Sequence, residues 1–288
     1  MGHEASGTIH AVGSAVISLI PGDTVAIEPG YPCRRCGSCK FGRYNLCPEM
    51  KFAASPPKKH GTLTKYFLLP ADFCCKVPEN ISLAEAVLME PLAVAIHAVR
   101  LADVKPGNRV IVFGAGTVGL FCAAVAREFG AAAVVSVDIL ERKLDFAQSF
   151  VGTSVGRTAI PDPSVTPEGN AQRLVHTQGF GEGADIAIDA SGAEASVQTA
   201  IYSLRMGGTY VQAGMGKRKI EFPISEMCEK EIAAKGCFRY GPGDFNLGIH
   251  FVGQGKIKLS GLITKILRFE LARGLGNGQA RRGDKNID

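Results

Sequence analysis

Cys33, Cys36, Cys39 and Cys47 crowd one short stretch in the pattern C-x2-C-x2-C-x7-C. Four thiolates close a tetrahedral shell around Zn2+, and the x2 spacings let a single loop wrap the ion. A closed shell leaves no position for water or substrate, so the metal this pattern implies is structural. It would keep the thiols deprotonated and help to fold a loop with little core of its own. Four unrelated thiols, or an iron–sulfur site, are the alternatives, although the common iron–sulfur spacings differ from this one. A zinc-ribbon interaction module would carry the same four cysteines without the cofactor machinery that follows.

That machinery begins at Gly114-Ala115-Gly116-Thr117-Val118-Gly119, which matches G-x-G-x-x-G. Alone the pattern is weak. Here it follows the β-branched run RVIVF (109–113) and opens an apolar stretch, the context a dinucleotide site requires. Gly114 permits the tight turn, Gly116 lets backbone approach a pyrophosphate, and Gly119 allows close helix–strand packing. The helix N-terminus behind them adds free N–H groups and partial positive charge. Asp138 closes the next strand, about 20 residues on, where a carboxylate accepts from the ribose hydroxyls of NAD and repels the 2′-phosphate of NADP. The plainer role for Asp138 is a helix N-cap. Arg142 and Lys143 fall where an adenosine would lie, or are ordinary solvated helix residues.

The elements that position these groups follow from punctuation and periodicity. Before residue 100, short extended runs such as 7–12 and 24–28 are broken by Gly and Pro, as in a strand-rich, irregular lobe. After it, strands at 109–113, 133–138, 184–189 and 209–213 alternate with helical stretches at 118–129, 141–150 and 193–205. This predicts an α/β fold: a doubly wound parallel sheet with both faces covered. Residues 152–170, with Pro161, Pro163 and Pro167, are expected to form a surface loop. The expected division is 1–98 for the strand-rich domain with its zinc lobe at 33–47, 99–240 for the NAD-binding domain, and 241–288 for the end of that domain and a tail.

Composition supports a packed protein: 46% hydrophobic, 20% charged, with 35 glycines for tight turns. The net charge of +5 is dispersed among 27 acidic residues, with no basic stripe interleaved with aromatics, so nucleic acid is not an expected partner. No apolar run reaches the roughly 18 residues of a membrane span, and no signal peptide opens the sequence. Nine cysteines, four of them clustered, suit metal binding in a reducing cytoplasm better than disulfides.

Several runs together resemble the zinc-containing medium-chain alcohol dehydrogenases: Gly2-His3-Glu4, the four-cysteine lobe, Glu90 within LMEPLAVAIHA, and GAGTVG. The runs AIEPGYPCRRC, FAASPP, ADFCCKVPE, DASGAEASVQ and GGTYVQAGMGK are similar to the polyol branch, that of the fungal xylitol dehydrogenases, with sorbitol and L-arabinitol dehydrogenases as near relatives. The resemblance implies a Rossmann-type domain beside a partial GroES-like catalytic domain. It also implies a second, catalytic zinc, with His3 and Glu4 matching a His-Glu pair and Glu90 a later acid of its shell. A mixed shell with an open position would polarise an alcohol, and hydride would pass to NAD. Without the resemblance these three would pass for ordinary terminal or helix residues. In an extended strand, His3 and Glu4 would point to opposite faces, so sharing one ion needs a local bend.

In the polyol branch the Phe-Arg-Tyr element, here Phe238-Arg239-Tyr240, reaches nicotinamide and substrate hydroxyls. Gly214 and Met215 would pass the nicotinamide ribose. A surface salt bridge is the plain alternative for Arg239. His97 is expected to be a satisfied core or hinge residue. Cys74, Cys75, Cys122, Cys228 and Cys237 are expected to be small buried hydrophobes. The implied substrate is a polyol or its ketose, and the relatives suggest a homo-tetramer.

The family carries a catalytic Cys upstream of Gly-His-Glu, on a segment this sequence does not include, and the tail beyond residue 265 departs from the family pattern. Both ends are therefore expected to be incomplete. A catalytically inactive remnant that keeps NAD and structural zinc is the competing expectation to an active polyol dehydrogenase.

Overall fold

The computed structural model describes residues 1–55 and 59–269. The first part is built of short strands: β1 (Ser6–Thr8), β2 (Thr24–Ile27), β3 (Gly30–Tyr31), β4 (Lys51–Phe52) and β5 (Cys74–Lys76). They form an antiparallel sheet in the order β1-β2-β5 and a separate antiparallel pair, β3-β4. Pro29 separates β2 from β3, because proline cannot donate to a ladder. The β3-β4 pair closes the neck of the cysteine loop, which carries the one-turn helix α1 (Gly37–Lys40). Gly30 is required at that neck, since a Cβ there would stand 2.6 Å from the Phe52 ring. The expected strands at 7–12 and 24–28 are present as β1 and β2, both shorter than expected.

A capping box follows: the Ser82 hydroxyl accepts from the Glu85 amide while Glu85 reaches back to the Ser82 amide, opening α2 (Leu83–Ala86). Helix α3 (Met89–Ala102) comes next and has ten buried residues among its 14. A helix apolar on nearly all sides must be enclosed. The expected boundary at 98/99 falls inside α3, so one rigid helix runs across it.

Beyond α3 the alternation holds. The elements are β6 (Arg109–Phe113), α4 (Thr117–Glu128), β7 (Ala133–Val137), α5 (Glu141–Val151), β8 (Gly156–Ala159), α6 (Pro167–Gln178), β9 (Ala184–Asp189), α7 (Glu194–Ser203), β10 (Leu204–Gln212), α8 (Ile224–Glu229), β11 (Ala233–Gly236) and α9 (Asp244–Gly253). The six strands lie in the order β11-β10-β9-β6-β7-β8, every neighbour parallel. Chain order reverses between β6 and β9, the switch point at which doubly wound sheets bind their ligands. Ile111, Val135, Ala187, Ile201, Leu204 and Phe180 belong to the enclosed core on one face of the sheet.

Residues 152–170 correct the expectation of a loop, for β8 and the start of α6 lie there. Pro161 and Pro163 do sit in the connection. Pro167, however, occupies the first turn of α6, where its missing N–H costs nothing, and the Thr166 hydroxyl caps the helix by accepting from Gly169 N–H. The last strand is also longer than expected. Strand β10 begins at Leu204, and a register shift before Thr209 absorbs Gly207 and Gly208.

The described residues fall into two compact units that divide between Lys258 and Leu259. The described part of the second, 259–269, holds neither an α-helix nor a β-strand. The rest of the atypical tail lies outside the described residues.

Candidate active site

Two groups of metal-ligating side chains are brought together among the described residues: Cys33, Cys36, Cys39 and Cys47, and His3, Glu4 and Glu90. In each, the candidate ligand atoms lie within 4.8 Å of one another.

In the cysteine lobe the Sγ–Sγ separations are 3.4 Å (Cys36–Cys39), 3.8 Å (Cys36–Cys47) and 4.0 Å (Cys33–Cys39). Tetrahedral zinc with bonds of about 2.3 Å would separate its sulfurs by roughly 3.8 Å, whereas a disulfide needs about 2.05 Å. The donor set therefore fits zinc. Backbone amides turn inward to meet the thiolates: Cys36 N–H donates to Cys33 Sγ at 3.4 Å and Cys33 N–H to Cys47 Sγ at 3.4 Å. Amide donation, first from Arg35 and then from Cys36, pulls the Cys33 thiol down to about 7, so it is already inclined to bind as a thiolate.

His3 and Glu4 precede β1, in a stretch with no strand geometry. Gly2 takes φ +84°, a left-handed turn, and the segment is pinned by Thr62 N–H to Gly2 O (2.9 Å) and Leu63 N–H to Met1 O (3.0 Å). In the segment so held, ligand atoms of His3 and Glu4 lie within 4.8 Å of each other, so the neighbouring side chains face one point. Glu90 meets them from the first turn of α3, 5% exposed, where the helix N-terminus favours a carboxylate. Its Oε1 stands 3.4 Å from His3 Nδ1, which is buried and makes no hydrogen bond of good geometry. The Glu90 contact raises the His3 pKa, and partial desolvation followed by the Glu90 charge raises that of Glu4. Two acids and an orphaned imidazole nitrogen at one point are a donor set that fits a divalent cation.

The third component comes from the end of β11. Arg239 adopts a left-handed backbone, φ +58°, rare for a residue with a side chain. Its guanidinium lies 3.7 Å from the Phe52 ring centre and 4.6 Å from that of Phe238. The Phe52 ring is in turn 5.5 Å from the His3 ring. Phe52 thus links the sheet-end loop to the His3 cluster, a role that nothing in its sequence context announces. Tyr240 is 2% exposed, packs edge-on against Phe245 at 4.9 Å, and its hydroxyl has no hydrogen-bond partner among the described residues. Burial pushes the phenol pKa up and lowers that of Arg239. Among the described residues Arg239 forms no salt bridge, and its charge rests on aromatic faces.

At the switch point Gly114 has φ +93°, and its N–H donates to Val137 O at 2.7 Å. A Cβ on Gly119 would fall 1.7 Å from Gly114 O, while Gly116 has open space around it. Val118 lies half-buried in the first turn of α4. Asp138 accepts from Ala115 N–H (2.8 Å) and Leu140 N–H (3.0 Å), with Lys143 Nζ 3.7 Å away. Helix α5 has Leu140 at its N-cap and no side-chain cap, so the capping alternative for Asp138 is not met. Arg142 is exposed on the first turn of α5. Gly214 and Met215 pass against Gly192, where a Cβ on Gly214 would stand 2.5 Å from Gly192 N; the Met215 side chain is exposed.

Sequence reading missed two buried acids that shape this region. Asp189, at the end of β9, takes Ser191 Oγ (2.7 Å), Gly192 N–H (2.7 Å) and Gln212 Nε2 (2.6 Å). Asp244 takes Gly241 N–H (2.6 Å), contacts Arg100, and stands 3.2 Å from His97, which is half-buried on α3. The Asp-Ala-Ser-Gly run after β9 was the available signal for the first; the second had none. Cys122 is buried as expected and Cys74, Cys75 and Cys237 are half-buried, but Cys228 is exposed, because its short helix α8 has no buried residue.

Comparison with known proteins places the chain in a family. Residues 1–79 match the alcohol dehydrogenase GroES-like domain and residues 117–254 the zinc-binding dehydrogenase domain. The chain is 54% identical over 272 residues to a probable D-xylulose reductase A of Aspergillus clavatus, covering 94% of this chain and 75% of that one. It is 52% identical over 288 residues to D-xylulose reductase A of Aspergillus niger, covering all of this chain and 79% of that one. Among solved structures it resembles L-idonate 5-dehydrogenase of Escherichia coli, with TM-score 0.83, 29% identity, and coverage of 97% of this chain and 79% of that one. An Escherichia coli oxidoreductase of unknown specificity gives TM-score 0.86, 32% identity, and coverage of 98% and 79%.

Proposed function

The chain belongs to the zinc-binding alcohol dehydrogenase family, and from that premise we propose that it oxidises a polyol, xylitol in the first instance, to the corresponding ketose. It is an oxidoreductase whose cofactors are zinc and NAD(H). The observation that carries the polyol reading is the run of contacts from Arg239 through Phe52 to His3 and Glu90, which joins the end of the cofactor sheet to the His3–Glu4–Glu90 donor set.

In this reading residues 1–98 serve the alcohol and 99–240 the cofactor. Zinc, when bound, supplies Lewis acidity toward a polyol hydroxyl, and NAD supplies the hydride acceptor. His3, Glu4 and Glu90 would hold the catalytic ion, and the four cysteines the structural one. Tyr240 keeps its proton because burial opposes the phenolate, so its free hydroxyl donates to or accepts from a substrate hydroxyl. Arg239 stays charged and, held flat on Phe52, offers its N–H groups to a second hydroxyl or to the nicotinamide carboxamide. Phe238 and Met215, both exposed, would cover the nicotinamide side. Gly114, Gly116, Val118 and Gly119 would receive the pyrophosphate at the start of α4, and Asp138 would take the ribose hydroxyls, with Arg142 and Lys143 toward the adenosine.

No described helix is long and apolar enough to cross a membrane. A cytoplasmic location and a homo-tetramer complete the proposal by analogy with the family. The test is xylitol-dependent NADH formation at 340 nm, with sorbitol and L-arabinitol alongside. Turnover that a chelator abolishes and zinc restores supports the reading; no polyol-dependent NADH with zinc supplied rejects it.

A further inference from the structure

Asn45 is a buried polar residue, 7% exposed, in the single turn of 3-10 helix at Tyr44–Leu46, two positions before the ligand candidate Cys47. Its side-chain amide does not serve its own lobe. It donates to the main-chain oxygen of Phe238 at 2.9 Å, across 193 residues of sequence. That oxygen immediately precedes Arg239, the residue with the left-handed backbone. A side-chain-bearing residue in that conformation costs of order 1–3 kcal/mol and persists only where its surroundings over-determine it. Three bonds do so here: Cys237 N–H to Gln212 O at 2.8 Å, Gly241 N–H to Asp244 at 2.6 Å, and Asn45 to Phe238 O. The first two come from the cofactor half, whereas Asn45 supplies the clamp from the cysteine lobe. The turn that carries it is itself fixed by Cys47 N–H to Tyr44 O (2.9 Å) and by the Tyr44 hydroxyl donating to Glu28 (2.5 Å).

We propose that Asn45 is a positioning residue: it couples the four-cysteine lobe to the Phe238–Tyr240 turn and so sets where the Arg239 guanidinium and the Tyr240 hydroxyl stand. The inference rests on the reading of that turn as a cofactor and substrate contact. It gives the cysteine lobe a second duty besides folding its own loop. A lobe whose shell is intact presents the amide to the turn; a lobe whose shell is lost releases one of the three clamps.

The test uses the full chain with zinc, in four forms: Asn45→Ala, Asn45→Asp, Arg239→Ala and the double variant Asn45→Ala/Arg239→Ala. Asn45→Asp keeps the size of the side chain but sets an acceptor against the Phe238 oxygen, so it reads the bond even where the alanine form folds poorly. Asn80→Ala is the control, because Asn80 donates a comparable bond to Gly253 O at 3.0 Å far from the turn. NADH affinity is followed by fluorescence titration, hydrogen exchange by mass spectrometry over residues 237–241, and zinc by elemental analysis. The expected result is about fivefold weaker NADH binding in Asn45→Ala, the worth of one net hydrogen bond. Exchange over 237–241 should quicken with zinc content unchanged, and the loss should vanish in the Arg239→Ala background. The Asn80→Ala control should lose a little stability and none of the affinity. Unchanged exchange and affinity in both Asn45 variants, with Arg239→Ala still weakening NADH, overturn the inference alone. If Arg239→Ala leaves NADH binding flat, the reading beneath it fails and the inference falls with it.

Discussion

His3, Glu4 and Glu90 set two carboxylates against one imidazole, and a cation is the natural relief for such a group. Glu28 shows the same physics where no partner of opposite charge stands near. At 6% exposure its carboxyl is pushed up to about 7, chiefly by burial, with the Tyr44 hydroxyl pulling the other way. An acid raised in the folded state binds its proton there at a pH where the unfolded chain has lost it, so stability falls as pH rises from about 4.5 to about 7. Urea unfolding between pH 5 and 8 should show that decline. Glu28→Gln, which still accepts from Tyr44, should flatten it and gain roughly 2–3 kcal/mol at pH 8. The two oxygens of Asp138 accept from the Ala115 and Leu140 amides and keep lone pairs for a ribose. Asp138→Ala should weaken NAD about tenfold, the worth of a charge-assisted bond, and relax discrimination against NADP. An unchanged NAD-to-NADP affinity ratio would leave Asp138 a purely structural loop residue.

Among elements, the glycine turn between β6 and α4 is the least forgiving. Gly119→Ala would drive a Cβ into the Gly114 carbonyl, so it should cost roughly 3 kcal/mol through forced backbone movement and weaken NAD in the same titration. Wild-type melting and binding in that variant would mean the turn is looser than its geometry implies. This turn was fully legible in the sequence, as was the cysteine loop, because both depend on residues adjacent in the chain. Strand β8 and the start of α6 were not, because three prolines outweighed the Thr166 cap signal and the short run GRTA. What sequence could not show at all was contact across the fold. Phe52 under Arg239, Asn45 on Phe238 and Asp244 against Arg100 join residues whose spacing carries no period. His3 and Glu4 were legible only through resemblance, because their meeting with Glu90 joins residues far apart in the chain.

For the molecule as a whole, the doubly wound sheet delivers Gly114, Asp189, Gly214 and Arg239 to one edge, since each follows a parallel strand at its C-terminal end. Helix α3 carries Glu90 at its start and packs on both α4 and α9 farther along, so the acid cluster and the cofactor half share one rigid rod. The two metal groups then have separate duties, one closing a loop and one facing the chemistry, and they should be separable. Zinc per chain, measured by elemental analysis after dialysis, tests this most directly. Two zinc ions are expected in the natural sequence and one in the double variant His3→Ala/Glu90→Ala, with NADH affinity retained in that variant. One zinc in the natural sequence, unchanged by the double substitution, would contradict it.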